Sequence, residues 1–175
     1  MLYRCFPPSV LHTLRSIAAA TLLTALGACS TAPTGRTTGT AQTDIEIPSR
    51  LSAAQATEVT IYAMSLVGTP YRFGGNTPES GFDCSGLIGH VYKTQSGVLT
   101  PRTVSAMSAW GQAVPLESVR TGDLAVFTRN GTASHAGIYV GAGRFVHAPS
   151  TGGTVRLETL LAGYWSKQQV SYRRP

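Results

Sequence analysis

Three side chains, spread from the middle of the sequence onward, are equipped for nucleophilic chemistry. Cys84 lies in GFDCSGLIGH, residues 81–90, where a glycine-rich loop gives way to a helical pattern. His135 opens HAGIYVG, and His147 follows 12 residues later in RFVHAP. A thiolate attacks carbonyl carbon readily, but a thiol becomes one only with a base in hydrogen-bond reach. That base in turn needs a third group to hold its ring. Cys84 as nucleophile, His135 as base and His147 as orienting partner fill the three roles. The same three residues could also ligate zinc, but they include no close-spaced ligand pair and no nearby carboxylate. No metal or other cofactor is therefore expected.

The elements around these residues decide whether they can meet. Asp83 sits where a helix N-cap belongs, which puts Cys84 in the first turn. Cys84, Leu87, Ile88 and Val91 share the i, i+3, i+4, i+7 stripe, so the sulfur is at the end of the packed face. Free N–H groups and the helix dipole favour thiolate there and could receive an oxyanion, whereas the Asp83 charge opposes thiolate. In HAGIYVG, Ala136, Ile138 and Val140 alternate with His135, Gly137 and Tyr139, so the core and the base take opposite faces. A two-residue turn at Ala142-Gly143 would pair Ile138 with His147 and turn that ring into the core. A three-residue loop over 141–143 pairs Ile138 with Val146 and brings both histidines to one face, and burial favours it.

The rest of the chain supports one folded domain. Residues 1–28 read as an export leader, with Arg4 and Arg15 ahead of an uncharged apolar run over 16–28 that is too short to span a bilayer. The run ends in Leu26-Gly27-Ala28-Cys29, which resembles the lipobox of bacterial lipoprotein precursors, with Cys29 as the lipidated residue. Of three cysteines, Cys5 then leaves with the leader and Cys29 is capped, so Cys84 is the single free thiol of the mature chain. Residues 29–49, rich in Thr, Gly, Ala and Pro, should form a tether with a reach of about 25 Å. From residue 50 to 175 the pattern is helices first, over 52–67, 84–95 and 102–111. Short alternating strands follow, in DLAVFT, HAGIYVG, RFVHAP, TVRLE and QVSYR. That order predicts an α+β domain with N-terminal helices packed on an antiparallel sheet.

The ordered set GTPYRFGG, FDCSGLI, TPRT, GDLAVF, HAGIYVG and FVHAPS resembles the NlpC family of papain-like cell-wall cysteine peptidases, and most of all its small murein endopeptidase lipoproteins. The resemblance covers about residues 55–175. It implies a papain-like core and cleavage of stem or cross-link peptides in peptidoglycan, next to diaminopimelate, by Cys84, His135 and His147. It further implies substrate or oxyanion contacts from Tyr71, and substrate contacts from Asp83 and Ser85. Two motif positions depart from the family: Thr121-Gly122 stands for Pro-Gly and Thr100-Pro101-Arg102 for Leu-Pro-Arg, both expected to lie away from the chemistry. His90, His12, Trp110 and Trp165 are expected to have no part in the site.

The chain carries 14 Lys and Arg against 8 acidic residues, a net charge of +6, and removal of the leader leaves +4. These charges are scattered, which argues a solvated surface and no nucleic-acid partner. The expected partners are peptidoglycan peptides and, through the lipid on Cys29, a membrane. The expected state is a monomer. Ser30 after the lipidated residue is not the Asp associated with inner-membrane retention in Gram-negative lipoproteins, and by that resemblance the anchor would be in the outer membrane with the domain facing the periplasm. Two alternatives use the same fold: a wall-binding lipoprotein without catalysis, and an amidase or acyltransferase working through the same Cys84–His135 dyad.

Overall fold

The computed structural model describes residues 46–175; the leader, Cys29 and most of the tether lie outside them. Among the described residues no helix is long and apolar enough to cross a membrane. Helix α1 (Ala53–Ser65) begins on a capping box, in which Ser52 accepts the Gln55 N–H at 3.2 Å and the Gln55 side chain accepts the Ser52 N–H at 3.0 Å. It buries Ala56, Val59, Thr60 and Ala63. A two-stranded hairpin, β1 (Asn76–Thr77) with β2 (Gly81–Phe82), occupies the glycine-rich stretch ahead of Cys84. Helix α2 (Cys84–Ser96) follows at once and stops at Gly97, whose φ of 71° is the left-handed conformation of a helix C-cap. Helix α3 (Val104–Ser108) is a short turn capped by Thr103.

The remaining strands are β3 (Gln112–Val114), β4 (Leu124–Arg129), β5 (Thr132–Gly141), β6 (Arg144–His147), β7 (Arg156–Thr159) and β8 (Gln169–Arg174). They form one antiparallel sheet in the order β3-β8-β4-β5-β6-β7. The three helices cover one face, where Val59, Leu87, Ile88, Val91 and Met107 meet Leu124, Val126, Ala136, Ile138, Val140 and Val146. The opposite face carries a second cluster of Ala125, Phe127, Phe145 and Tyr172, roofed by Leu160 and Trp165. Ile47 packs against this second cluster, so contacts to the sheet begin within the stretch expected to be tether.

The β5–β6 connection combines the two alternatives posed by the sequence. Ala142 and Gly143 form a tight two-residue turn, with φ of 51° and 65°. A bulge between Tyr139 and Gly141 then shifts the register, so that Ile138 pairs with Val146 and Tyr139 with Phe145. The extra residue achieves what the longer loop was expected to achieve: Val146 joins the helix-facing core, and His147 stays on the other face.

A buried ion pair joins the end of β8 to the residue just before β4. Arg174, at the end of β8, donates through Nε to Asp123 Oδ1 at 3.0 Å and through Nη2 to Oδ2 at 2.8 Å. The side chains are only 5% and 2% exposed. Removing one partner leaves an uncompensated charge in the interior, so Asp123→Ala is expected to destabilise the fold by about 3–5 kcal/mol. Urea unfolding of the two proteins checks this, and a loss below about 1 kcal/mol, the range of an exposed pair, would contradict it.

Candidate active site

Cys84 is positioned by its neighbours on both sides. Asp83 caps α2 by accepting the Gly86 N–H at 2.6 Å. Gly86 is required there because a Cβ would stand 2.0 Å from the Gly75 carbonyl oxygen, so the helix start lies directly on the β1 segment. The thiol is free and partly exposed. Its sulfur lies against the backbone N–H groups of Cys84, Ser85 and Ala136, the last being the residue after His135. Burial pushes the thiol up from its ordinary value, the Asp83 charge adds to this, and the three N–H groups oppose it. The helix start therefore does not yield a thiolate unaided, as the sequence suggested; burial outweighs it.

His135 projects from β5 beside a bulge, where the pairing of β4 and β5 shifts between Phe127 and Thr128. Its Nε2 lies 2.8 Å from His147 Nδ1, with the rings nearly perpendicular at 84°. That contact leaves Nδ1 of His135 as the ring atom free for the thiol. The Cys84 thiol and the His135 ring make no direct hydrogen bond; such bonds are commonly long before substrate binds. Gly137 makes room for the pair, since a Cβ there would stand 2.7 Å from Phe145 and 3.1 Å from His147 Cβ. His147 is fully buried but is not in the helix-side core: its ring packs on Phe145 and Trp165. Burial lowers His135 to about 3, helped by the charge of His147, with Glu158 opposing. Burial and Arg156 lower His147 to about 4. Both rings rest neutral near pH 7, next to a neutral thiol.

The residues expected to touch substrate surround the sulfur. Tyr71 is held from both directions: its N–H donates to Gly153 O at 2.8 Å, and its backbone bridges to Phe82. Burial, with the nearby charges of Cys84 and Asp83, raises its phenol, so the hydroxyl stays a donor. Asp83 and Ser85 are both engaged internally. Arg102 donates to Asp83 Oδ1 at 2.7 Å and to Oδ2 at 2.9 Å. Ser85 donates to the Arg102 carbonyl at 2.8 Å and accepts from its guanidinium. Burial would raise the Asp83 carboxyl, but Arg102, the Gly86 N–H and Ser85 outweigh it and hold it below its ordinary value. Among the described residues, no three His, Cys, Asp or Glu side chains are grouped to hold a metal ion.

Three residues enter the site that sequence reasoning left out. Arg102, expected to lie away from the chemistry, locks the two residues flanking Cys84. Trp165, expected to be packing alone, stacks on His135 at 5.3 Å and donates Nε1–H to Glu158. Glu158 lies 3.3 Å from His147 Nε2. The basic residue in TPRT was a readable signal for the first; nothing in the spacing of Glu158 or Trp165 marks them. A cavity of about 430 Å³, lined by Arg129, Ser134, His135, Ser150 and Trp165 among others, opens beside His135. That is large enough for a peptide segment.

Residues 68–174 match the family model described as NlpC/P60 family. The murein DD-endopeptidase MepH of Escherichia coli (strain K12) is 41% identical over 115 residues, which is 63% of this chain and 42% of MepH. The murein DD-endopeptidase MepS/murein LD-carboxypeptidase of the same strain is 36% identical over 107 residues, 61% of this chain and 56% of that protein. The crystal structure of an NlpC/P60 family protein from Bacillus cereus ATCC 10987 superposes with a TM-score of 0.62 at 30% identity, covering 75% of this chain and 41% of that one. The chain thus spans only about two-fifths to just over half the length of the two curated relatives.

Proposed function

The chain belongs to the NlpC/P60 family, with its papain-like α+β fold, and from that premise we propose that it is a cysteine peptidase that hydrolyses peptide bonds of peptidoglycan. The observation that carries the reading is the 2.8 Å contact of His135 Nε2 with His147 Nδ1, one residue from the N–H that faces the Cys84 sulfur. The murein endopeptidase names of two relatives supply the substrate class. Within that class, the bond is one in a stem or cross-link peptide near diaminopimelate.

The chemistry follows from the arrangement. Substrate binding brings a peptide carbonyl to the start of α2. The Cys84 proton passes to His135 Nδ1 as the sulfur forms a bond to the carbonyl carbon, and the carbonyl π pair moves to oxygen. The Cys84 N–H and the Tyr71 hydroxyl are the donors for that oxyanion. Collapse breaks the C–N bond, and His135 returns its proton to the leaving amine. Water, deprotonated by the same ring, then releases the acyl group as a free acid and restores the thiol. His147 holds the ring of His135 and shares the charge of the imidazolium. Asp83, Ser85 and Arg102 form the fixed rim of the cleft next to the nucleophile, where the substrate's backbone or amine would lie.

The proposed setting is the bacterial envelope, with a monomeric domain held to the outer membrane by a lipid on Cys29 and facing the periplasm. Support for the anchor comes from the leader and from Leu26-Gly27-Ala28-Cys29 alone. Incubation of the protein with purified murein sacculi, followed by mass spectrometry of soluble muropeptides, tests the activity. New free carboxyl and amino ends at one peptide bond are the expected result. A newly formed amide would indicate acyl transfer instead, and unchanged murein would overturn the reading. Incorporation of radiolabelled palmitate, lost in Cys29→Ala, tests the anchor separately.

A further inference from the structure

The two histidines pose a problem that their own contact cannot solve. Each neutral ring carries one proton, and only one proton lies between His135 Nε2 and His147 Nδ1. If His135 holds it, the Nδ1 lone pair of His135 is free to take the thiol proton. If His147 holds it, His135 carries its proton on Nδ1 and presents no base to Cys84. Symmetric imidazoles have little intrinsic reason to choose.

We propose that Glu158 makes that choice, acting as a positioning residue that fixes the productive tautomer of the relay. The assignment rests on the peptidase reading for its catalytic consequence, though not for its geometry. His147 Nε2 is buried and has no aligned hydrogen-bond partner. Glu158 Oε2 stands 3.3 Å from it. A carboxylate at that distance attracts an N–H and repels a lone pair, so it favours His147 protonated on Nε2 and unprotonated on Nδ1. His135 must then donate from Nε2 and keep Nδ1 bare. The carboxylate is itself held. Trp165 Nε1–H donates to the same oxygen, and Arg156 Nη1 lies 3.8 Å from Oε1. Both contacts hold the Glu158 carboxylate in place against His147, and Trp165 also stacks on His135, so one indole ties the two ends of the relay together. When His135 takes the thiol proton, the imidazolium is stabilised through His147 by a charge that never leaves Glu158, and no proton needs to reach the carboxylate.

The ionisable groups facing this relay are Asp83 and Cys84 at the start of α2, Arg129 from β4 and His135 from β5 in one cavity, Arg144 from β6 and Tyr164 beside the cavity behind Glu158, and Arg156 and Glu158 from β7. Among them, Glu158 is the group that can accept from His147 Nε2.

The test compares the full chain with its Glu158→Gln and Glu158→Asp variants by ¹⁵N NMR of the histidine rings and by the pH profile of Cys84 alkylation with iodoacetamide. In the native protein His147 should show an Nε2–H, Nδ1-bare ring. In Glu158→Gln, which keeps the shape and loses the charge, the two tautomers should mix, murein hydrolysis should fall about ten- to a hundredfold, and the alkylation profile should move to higher pH. Glu158→Asp, with the charge kept, should recover part of each loss. Native His147 protonated on Nδ1, or ring signals and an alkylation profile unchanged in Glu158→Gln, would overturn the proposal. Neither NMR nor alkylation needs substrate, so failure of the peptidase reading would appear as an inactive native protein with the stated tautomer intact.

Discussion

Cys84→Ala is expected to lower release of muropeptides by about 10⁴-fold or more, the range seen when a covalent nucleophile is deleted. The physical reason is that no other group near the cleft can take its place. Cys84 is the free cysteine of the described residues, Ser85 is saturated by Arg102, and the Tyr71 phenol is held above its ordinary value. Cys84→Ser should be nearly as inactive. A hydroxyl is far less acidic than a thiol, and burial has made His135 a weak base, lowered to about 3, so proton transfer from serine has little driving force. Neither variant should cost more than about 1 kcal/mol of stability, because one partly exposed heavy atom is lost or exchanged and the cap at Asp83 stays intact. Steady-state muropeptide release together with urea unfolding checks both halves. An alanine protein retaining more than about a hundredth of the native rate would place the nucleophile elsewhere.

The start of α2 and the face of β5 were legible because each depends on neighbours in sequence. Asp83 as cap, the stripe from Cys84 to Val91, and the alternation from His135 to Val140 are local patterns, and all three are realised. Pairing Ile138 with Val146 was also legible, since only that register keeps the aliphatic residues together. The bulge that produces it was not, because a tight turn plus one extra residue has the same arithmetic as a longer loop. Strand β3 was missed for a different reason. Three residues give no period to read, and its partner β8 lies at the far end of the chain. The hairpin of β1 and β2, two residues a side, fails by the same measure. Strand β5 also begins three residues earlier than its alternation, at Thr132, because the bulge beside His135 breaks the pattern.

The site divides along the same line. Cys84, His135 and His147 announce themselves by residue type. Arg102, Glu158 and Trp165 do not, since arginine, glutamate and tryptophan are common outside active sites, and only the folded sheet brings them to the three. Arg102 reaches Asp83 from 19 residues away, and Trp165 reaches Glu158 across the turn that follows β7. Residues that position others act through distance and angle, and a linear pattern carries neither.

Removal of His135, the proposed base, should change both the chemistry and the acid sensitivity of the fold. His135→Ala is expected to lower hydrolysis by about 10³-fold, within the range of general acid–base catalysis. It also empties a site stacked on Trp165 and leaves His147 Nδ1 without its partner, so it should destabilise the protein. His135→Gln, whose amide can still donate to that nitrogen, should recover stability without activity, which separates the two effects. The pH dependence gives a sharper mark. Both rings titrate near 6.5 when unfolded, but at about 3 and about 4 in the native state. Between those values the unfolded chain holds more protons than the folded one, so stability is complete above about 6.5 and falls as pH drops. Two such rings give a slope of at most about 2.7 kcal/mol per pH unit, and one gives about 1.4. Asp83, lowered from 3.8, adds its own loss only at more acidic pH. Urea unfolding from pH 5 to 6.5 should therefore show the native slope reduced by up to about 1.4 kcal/mol per pH unit in His135→Gln, while His90, also lowered by burial, contributes alike in both proteins. Equal slopes would mean that the rings are not both held neutral in the fold, and a native protein most stable at pH 5 would reverse the sign on which the resting state of the site depends.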